Sequence, residues 1–113
     1  MALKDESCTA CGADAAQVSE SEQQTLLAQL PQWQLVNEEG EPRLLRAFEF
    51  PDFRAALDFT NRVGELAEQH DHHPQLTTEY GKVRVRWWTH SIGGLHRNDF
   101  VLAAQTDGLL EGE

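Results

Sequence analysis

The sequence predicts an α+β fold in which three helices lie on one face of a four-stranded antiparallel sheet. One observation is a long amphipathic pattern, because apolar residues recur at three- and four-residue steps between residues 53 and 67. The other is that strand-like runs occur in two pairs, one before and one after this pattern. The resulting order, helix-strand-strand-helix-strand-strand-helix, favours an antiparallel sheet covered on one face.

The 113 residues have the length of a single domain. Residues 1–18 lack periodicity, so we expect a flexible N-terminal arm followed by one domain over residues 19–113. No apolar run approaches the ~20 residues of a membrane-spanning helix and no signal peptide is evident, so the expected compartment is the cytoplasm. A formal net charge of -10 opposes nucleic-acid binding and favours a small molecule or a protein as the partner.

The first helix is predicted from its two ends. Ser19 and Glu22 have the spacing of a capping box, and Pro31 marks a stop. Between them, leucines give the helix one apolar edge: Leu26, Leu27 and Leu30.

The first strand pair is predicted from alternation and turn chemistry. Trp33 and Leu35 alternate with polar residues, which indicates a strand. Residues 37–42 are rich in turn formers and predict a loop, and residues 43–50 predict the second strand.

The long central helix is the clearest element of the sequence. Asp52 is a candidate N-cap. The predicted buried stripe, including a second row that widens it, comprises Phe53, Ala56, Leu57, Phe59, Thr60, Val63, Gly64, Leu66 and Ala67. Pro74 disfavours helical geometry at His73, so the helix ends at or before that residue. Glu68 and the histidines that follow it are therefore expected at the C-terminal end of this helix.

The second strand pair follows this corner. Residues 76–80 alternate and predict a third strand, and Gly81–Lys82 fits a tight turn. The fourth strand has one apolar face: Val83, Val85 and Trp87. A last helix is expected from near His96, with a short acidic tail after Gly108.

The chemistry-bearing residues gather at the end of the central helix. His72 and His73 precede Pro74, and His90 follows the fourth strand. Imidazole exchanges protons near neutrality, so one neutral and one protonated ring can together eliminate water, each transfer contributing ~10²–10⁴ in rate. Glu68 and Asp71 are placed to orient the rings or to keep one of them charged.

Two other interpretations of the histidines are open. Each could be structural, as a helix C-terminal or solvated residue. Together with His70 and Glu68 they could also bind zinc or iron. We rank a metal below acid–base chemistry because the His-Glu-x-x-His spacing is missing, and because adjacent residues of an extended segment, such as His72 and His73, point to opposite sides.

Cys8 and Cys11 have the spacing of half a zinc site or of a redox pair. The chain has no second cysteine pair, which favours a reduced arm with no metal.

The spacing of the site residues resembles that of the pterin-4a-carbinolamine dehydratases. The signature consists of separated elements over the second half of the chain: Glu68, His72-His73-Pro74, Tyr80, His90 and Asp99. Supporting context comes from Phe53, Phe59-Thr60-Asn61, Trp88-Thr89-His90, Gly94-Leu95 and Asn98-Asp99. The resemblance covers residues 19–107, and the cysteine arm is similar to that of bacterial members associated with phenylalanine hydroxylase.

The resemblance implies dehydration of 4a-hydroxytetrahydropterin to quinonoid dihydropterin, with no metal and no cofactor. It implies that His72, His73 and His90 are the catalytic histidines. We take His73 as the principal general acid/base, with His72 and His90 acting on the 4a-hydroxyl. Glu68 and Trp88 join Asp71 as substrate-binding candidates, although Glu68 could instead stabilise the histidines and Trp88 could lie at a subunit interface.

The remaining matched positions are interpreted as structural. Asp99 is expected to bond backbone N–H groups at the start of the last helix, in preference to a catalytic role. Tyr80 is expected to be structural or a wall of the pocket, and Pro74 to end the helix. His70 and His96 lie outside the signature and are expected at the surface.

The resemblance also implies partners. Members form homodimers or homotetramers, and tetrahydrobiopterin recycling implies a functional link to phenylalanine hydroxylase. Animal members also act as dimerisation cofactors of a homeodomain-type transcription factor, and related proteins could serve molybdopterin metabolism. The sequence leaves these alternatives open.

Overall fold

The computed structural model describes Leu3 and residues 17–111. Its elements are α1 (Glu20–Leu27), β1 (Gln34–Glu38), β2 (Glu41–Glu49), α2 (Phe53–His70), β3 (Gln75–Glu79), β4 (Lys82–Trp87) and α3 (Arg97–Glu111), with a 3₁₀ turn over His90–Ile92. The predicted fold class and element order are confirmed. Cys8 and Cys11, and with them most of the predicted arm, lie outside the described residues.

The four strands form one antiparallel sheet in the order β1-β2-β4-β3. Pairs such as Leu44 with Trp87 and Phe48 with Val83 lie opposite each other, so their side chains share one face. This face is buried, and α2 and α3 both contact the strands that carry it. Within the part of the chain that the structure describes, every helix is too short or too polar to span a bilayer.

Both hairpin turns are shorter or earlier than the sequence predicted. The expected loop over residues 37–42 is a two-residue turn at Glu39–Gly40, where both residues have positive φ (54° and 80°). Two positive φ values match the twist of a hairpin, so the flanking residues pair in the sheet and are not part of a loop. The second turn falls at Tyr80–Gly81, one residue before the predicted Gly81–Lys82.

The ends of α2 follow the local sequence. The Asp52 side chain accepts a hydrogen bond from the Ala55 N–H at 2.8 Å, as predicted for an N-cap. Asp71 adopts the left-handed conformation (φ 49°) and its N–H donates to the carbonyls of Ala67 and Glu68. This turn satisfies the last carbonyls of the helix and redirects the chain toward Pro74.

The buried stripe of α2 is narrower than predicted. The buried residues are Ala56, Phe59, Val63, Leu66 and Ala67. Phe53 lies in the first turn and is exposed, and Thr60 and Gly64 are half-buried at the edge of the stripe. Both positions line a cleft, and the Thr60 hydroxyl also bonds that of Thr78 in β3 at 2.6 Å.

The outer helices add two further observations. The predicted cap of α1 is present, since the Ser19 hydroxyl accepts from the Glu22 N–H at 3.2 Å. The tail expected after Gly108 begins later than predicted, because α3 continues through this glycine to Glu111. An interior glycine weakens a helix by about 1 kcal/mol but does not end it, and Leu109 packs against the core.

An ion-pair cluster involving β1, β2 and β4 predicts an acid-sensitive contribution to stability. Arg86 donates to Glu38 at 2.9 Å and Arg43 donates to the same oxygen at 3.2 Å. The Arg86 hydrogen bond, helped by both guanidinium charges and opposed by burial, lowers the pKa of Glu38. Because the folded pKa lies below the unfolded one, this stabilisation is present above the unfolded pKa and is lost as pH falls through the folded pKa.

We expect Glu38→Gln to remove part of the acid-induced fall in the free energy of unfolding. Urea denaturation between pH 7 and pH 3 measures this, and the variant should show a shallower decline than wild type. Glu39→Gln, in the adjacent exposed turn, is the matched control for the loss of one negative charge. Parallel curves for wild type and Glu38→Gln would contradict the prediction.

Candidate active site

The two adjacent histidines at the end of α2 are each paired with a different carboxylate. His72 Nε2 donates to Asp99 Oδ1 at 2.7 Å. His73 Nε2 bonds Glu68 Oε2 at 2.6 Å. Because the chain is extended here, between the left-handed Asp71 and β3, the two rings point to different sides, as the sequence predicted.

The His72 pair is inside the molecule. The Asp99 side chain is completely buried and that of His72 is 10 % exposed. The second oxygen of Asp99 accepts from the Thr89 hydroxyl at 2.7 Å and from the His96 N–H at 2.9 Å. The expected backbone bond of Asp99 is therefore present, and the same carboxylate also orients His72. The His72 ring in turn stacks on Trp87 at a centroid distance of 5.9 Å.

The His73 pair is at the surface. The side chains of His73 and Glu68 are 54 % and 77 % exposed. Exposed ion pairs contribute at most about 1 kcal/mol to stability, so the fold does not depend on this pair. The contact instead fixes the direction of an accessible imidazole.

His73 and Glu68 line a cleft of about 620 Å³ between α2 and the start of β3, which we call the α2–β3 cleft. Helix α2 contributes Thr60, Asn61, Gly64, Glu65, Ala67 and Glu68. The other side is formed by His73, Pro74 and Leu76. The volume is that of a small-molecule site. A smaller cavity of about 230 Å³ on the Asp58 and Arg62 side of α2 contains no histidine, so proton transfer by imidazole is better supported in the α2–β3 cleft.

His90 occupies a separate position on the 3₁₀ turn. Its exposed ring lies 4.4 Å from the ring of Trp88, measured between centroids. Trp88 is buried, and the Arg43 guanidinium lies 3.9 Å from its ring centroid, at cation–π distance. Neither His72 nor His90 is among the residues that line the α2–β3 cleft. The structure thus brings His73, Glu68 and Pro74 together at the cleft, and His72 and His90 do not line it.

The remaining sequence candidates have the following positions. Asp71 is exposed and closes α2 through its backbone, and Tyr80 is 74 % exposed in the β3–β4 turn, away from the residues that line the cleft. His70 and His96 are half-buried, and His96 Nδ1 accepts from the Asn98 N–H at 3.0 Å. Among the described residues, no three His, Cys, Asp or Glu side chains are grouped so that they could hold a metal ion.

Sequence reasoning missed two sets of residues. Thr60 and Gly64 were assigned to the buried stripe, although their spacing of eight and four residues from Glu68 places all three on one face of α2. Thr89 was noted only as context, and its bond to Asp99 joins the end of β4 to α3. The first set could have been found by extending the Glu68 face backward along the helix, whereas the second depends on tertiary packing.

The family model described as pterin 4 alpha carbinolamine dehydratase matches residues 16–109. The chain belongs to this family. The resemblance expected from the sequence is therefore confirmed.

Relatives match over nearly the whole chain. A Marinobacter nauticus protein is 55% identical over 107 residues, which cover 95% of this chain and 96% of the relative. A Chlorobium limicola protein is 56% identical over 110 residues, which cover 97% of each chain. The names of both include pterin-4-alpha-carbinolamine dehydratase.

A solved structure supports the same fold. The crystal structure of a transcriptional coactivator/pterin dehydratase from Brucella melitensis superposes with a TM-score of 0.75 at 32% identity. The match covers 83% of this chain and 98% of that one. The three-helix, four-stranded architecture is thus shared with a member that is 32% identical.

Proposed function

We propose that this protein is a hydro-lyase that dehydrates 4a-hydroxytetrahydrobiopterin, a pterin-4a-carbinolamine, to the quinonoid dihydropterin. The observation that carries the proposal is a carboxylate-paired, accessible imidazole in a cleft of small-molecule size, in a chain of this family. An accessible proton-transfer group beside a concave site fits a dehydratase better than a purely structural domain.

The reaction needs two proton transfers. A carbinolamine has a hydroxyl and an amine nitrogen on the same carbon. Loss of water breaks the C–O bond, removes the N–H proton and leaves a C=N bond. A protonated imidazole can supply the proton that makes hydroxide leave as water, and a neutral imidazole can accept the proton from nitrogen.

His73 is the principal general acid/base of this proposal. Its ring lines the cleft and exchanges protons with solvent through its exposed side, which allows it to be reset after each turnover. Glu68 holds the ring by one nitrogen and leaves the other nitrogen for substrate.

His72 and His90 are proposed to act on the hydroxyl. Asp99 accepts from His72 Nε2, so Nδ1 is the ring nitrogen that would give a proton to the leaving hydroxyl when the ring is protonated. His90 is held against Trp88 at an exposed position. Glu68, Asp71 and Trp88 remain the proposed substrate-binding residues.

The wider role is proposed from the family. The enzyme would act in the cytoplasm as a homodimer or homotetramer, in tetrahydrobiopterin recycling linked to phenylalanine hydroxylase. It would use no metal and no cofactor. The alternatives are a protein-interaction role, for which the Brucella relative's name includes transcriptional coactivator, and a pterin role in molybdopterin metabolism.

The deciding experiment follows the decay of freshly generated 4a-hydroxytetrahydrobiopterin by stopped-flow absorbance. We expect the protein to accelerate the decay in proportion to its concentration, with and without a metal chelator. No acceleration would overturn the enzyme and favour the interaction role. Acceleration that a chelator abolishes would overturn the metal-free mechanism.

A further inference from the structure

Gly64 has no structural explanation inside α2. It lies in the interior of an 18-residue helix, where glycine is less favourable than alanine by about 1 kcal/mol. Its φ is not in the left-handed region, so the backbone does not require glycine. A Cβ built at this position would meet no heavy atom within 4 Å, so neighbouring packing does not require glycine either.

The open space above Gly64 is the α2–β3 cleft. Gly64 lies one turn before Glu68, and residues four apart on a helix are neighbours on its surface. Glu68 in turn holds His73 at 2.6 Å. A side chain at position 64 would therefore extend into the cleft beside the carboxylate–imidazole pair.

The surroundings of Gly64 match a flat, polar-edged ring. Ala67, Pro74 and Leu76 are the apolar residues that line the cleft, and Asn61 and Glu65 are exposed polar residues that also line it. A helix surface without a Cβ lets a planar molecule approach the backbone closely. Apolar contacts to the faces of a ring, with donors and acceptors at its edge, are the usual composition of a small-molecule site.

We propose that Gly64 is a specificity-determining residue, whose missing side chain leaves room for a flat bicyclic heterocycle to lie on α2 within reach of His73. This rests on the proposed function, since a pterin is such a ring. It adds the place where the ring lies and the residue that admits it. The helix keeps an unfavourable glycine because any larger residue occupies the substrate's volume.

Gly108 provides a matched control. It is also a glycine inside a helix, α3, and a Cβ there would also meet nothing within 4 Å. It is not among the residues that line the α2–β3 cleft. Alanine should raise helix propensity equally at the two positions. A difference in KM or Kd between the Gly64 and Gly108 variants therefore reports on the cleft.

The experiment compares Gly64→Ala, Gly64→Leu, Gly108→Ala and Gly108→Leu by thermal unfolding, dehydration kinetics and fluorescence titration with a reduced pterin. We expect Tm to rise in both alanine variants. KM and the Kd of the pterin should rise a few-fold in Gly64→Ala and about 10-fold or more in Gly64→Leu, as one or several added carbon atoms in a pocket do. Both constants should stay at wild-type values in the Gly108 variants.

The outcomes separate the two proposals. Wild-type KM and Kd in a folded Gly64→Leu variant would overturn the role of Gly64 while leaving the enzyme intact. A wild-type protein that binds the pterin but does not dehydrate the carbinolamine would overturn the proposed function, and weaker binding by Gly64→Leu would still support the ring position. A fall in Tm in both Gly64 variants would overturn the inference, because it would show that the space is needed by the fold.

Discussion

Replacing His73 by alanine is expected to lower kcat for carbinolamine dehydration by about 10²–10⁴-fold, the usual contribution of a positioned general acid/base. The same change should shift Tm very little. The imidazole is more than half exposed and its carboxylate partner, Glu68, is more exposed still. A pair in this environment contributes little to stability, so lost activity would report on chemistry and not on unfolding.

His70 supplies the control for this variant. It is the last residue of α2, three positions from His73, and does not line the α2–β3 cleft. Alanine at position 70 should leave the dehydration rate close to that of wild type. Stopped-flow rates and thermal unfolding of both variants make the comparison, and a His73→Ala protein with the full rate would refute its assigned role.

The parts of the fold that could be predicted are those encoded locally. Asp52 caps α2 through a bond to a residue three positions later, and Pro74 keeps His73 out of a helix. The alternation of β4 follows from its pleat, so Val83 and Val85 are buried as expected. Each of these signals lies within a few residues of the feature it specifies.

The hairpin at Glu39–Gly40 shows why boundaries were less predictable. Turn formers over residues 37–42 indicated a loop, but pairing with β2 extends β1 to Glu38. Inter-strand hydrogen bonds are tertiary and outweigh the local preference of Asn37 and Pro42 for turns. Composition alone therefore overestimated the length of the loop.

In the candidate site, too, some features could be predicted from the local sequence and others could not. The histidines and Glu68 were identifiable from their spacing, and the opposite directions of His72 and His73 followed from extended geometry. The Asp99–His72 bond was not predictable, because it joins residues 27 positions apart. Gly64 was assigned to the buried stripe, although its spacing of four residues from Glu68 places it on the face of α2 that lines the cleft.

The adjacent histidines His72 and His73 differ in how firmly the ring is held and in how accessible it is. His72 is fixed in the interior by a carboxylate that also anchors α3 and Thr89. His73, the next residue, inherits that fixed backbone but presents its ring to the cleft. A proton-transfer group gains precision when its supporting residues are locked by packing, so a change at Asp99 should reach the chemistry through the position and tautomer of His72.

Asp99→Asn tests this link and should cause the second large effect. The oxygen that accepts from Thr89 and from the His96 N–H must remain an oxygen, because a backbone N–H can only donate. The new amide NH₂ therefore faces His72 Nε2, which must become an acceptor and move its proton to Nδ1. We expect a loss of about 1–3 kcal/mol in the free energy of unfolding and a fall in kcat of about 10²–10⁴-fold.

Thr89→Val separates the tautomer of His72 from the stability of the site. It removes one donor to Asp99 but leaves the carboxylate to accept from His72. Thr89→Val should therefore lower the free energy of unfolding by an amount similar to that of Asp99→Asn. The ¹⁵N spectra of the His72 ring should keep the wild-type pattern, and kcat should fall far less than in Asp99→Asn. If Asp99→Asn instead leaves the His72 nitrogen spectrum unchanged, or both variants lose activity in parallel with stability, then Asp99 stabilises the fold and does not direct the chemistry.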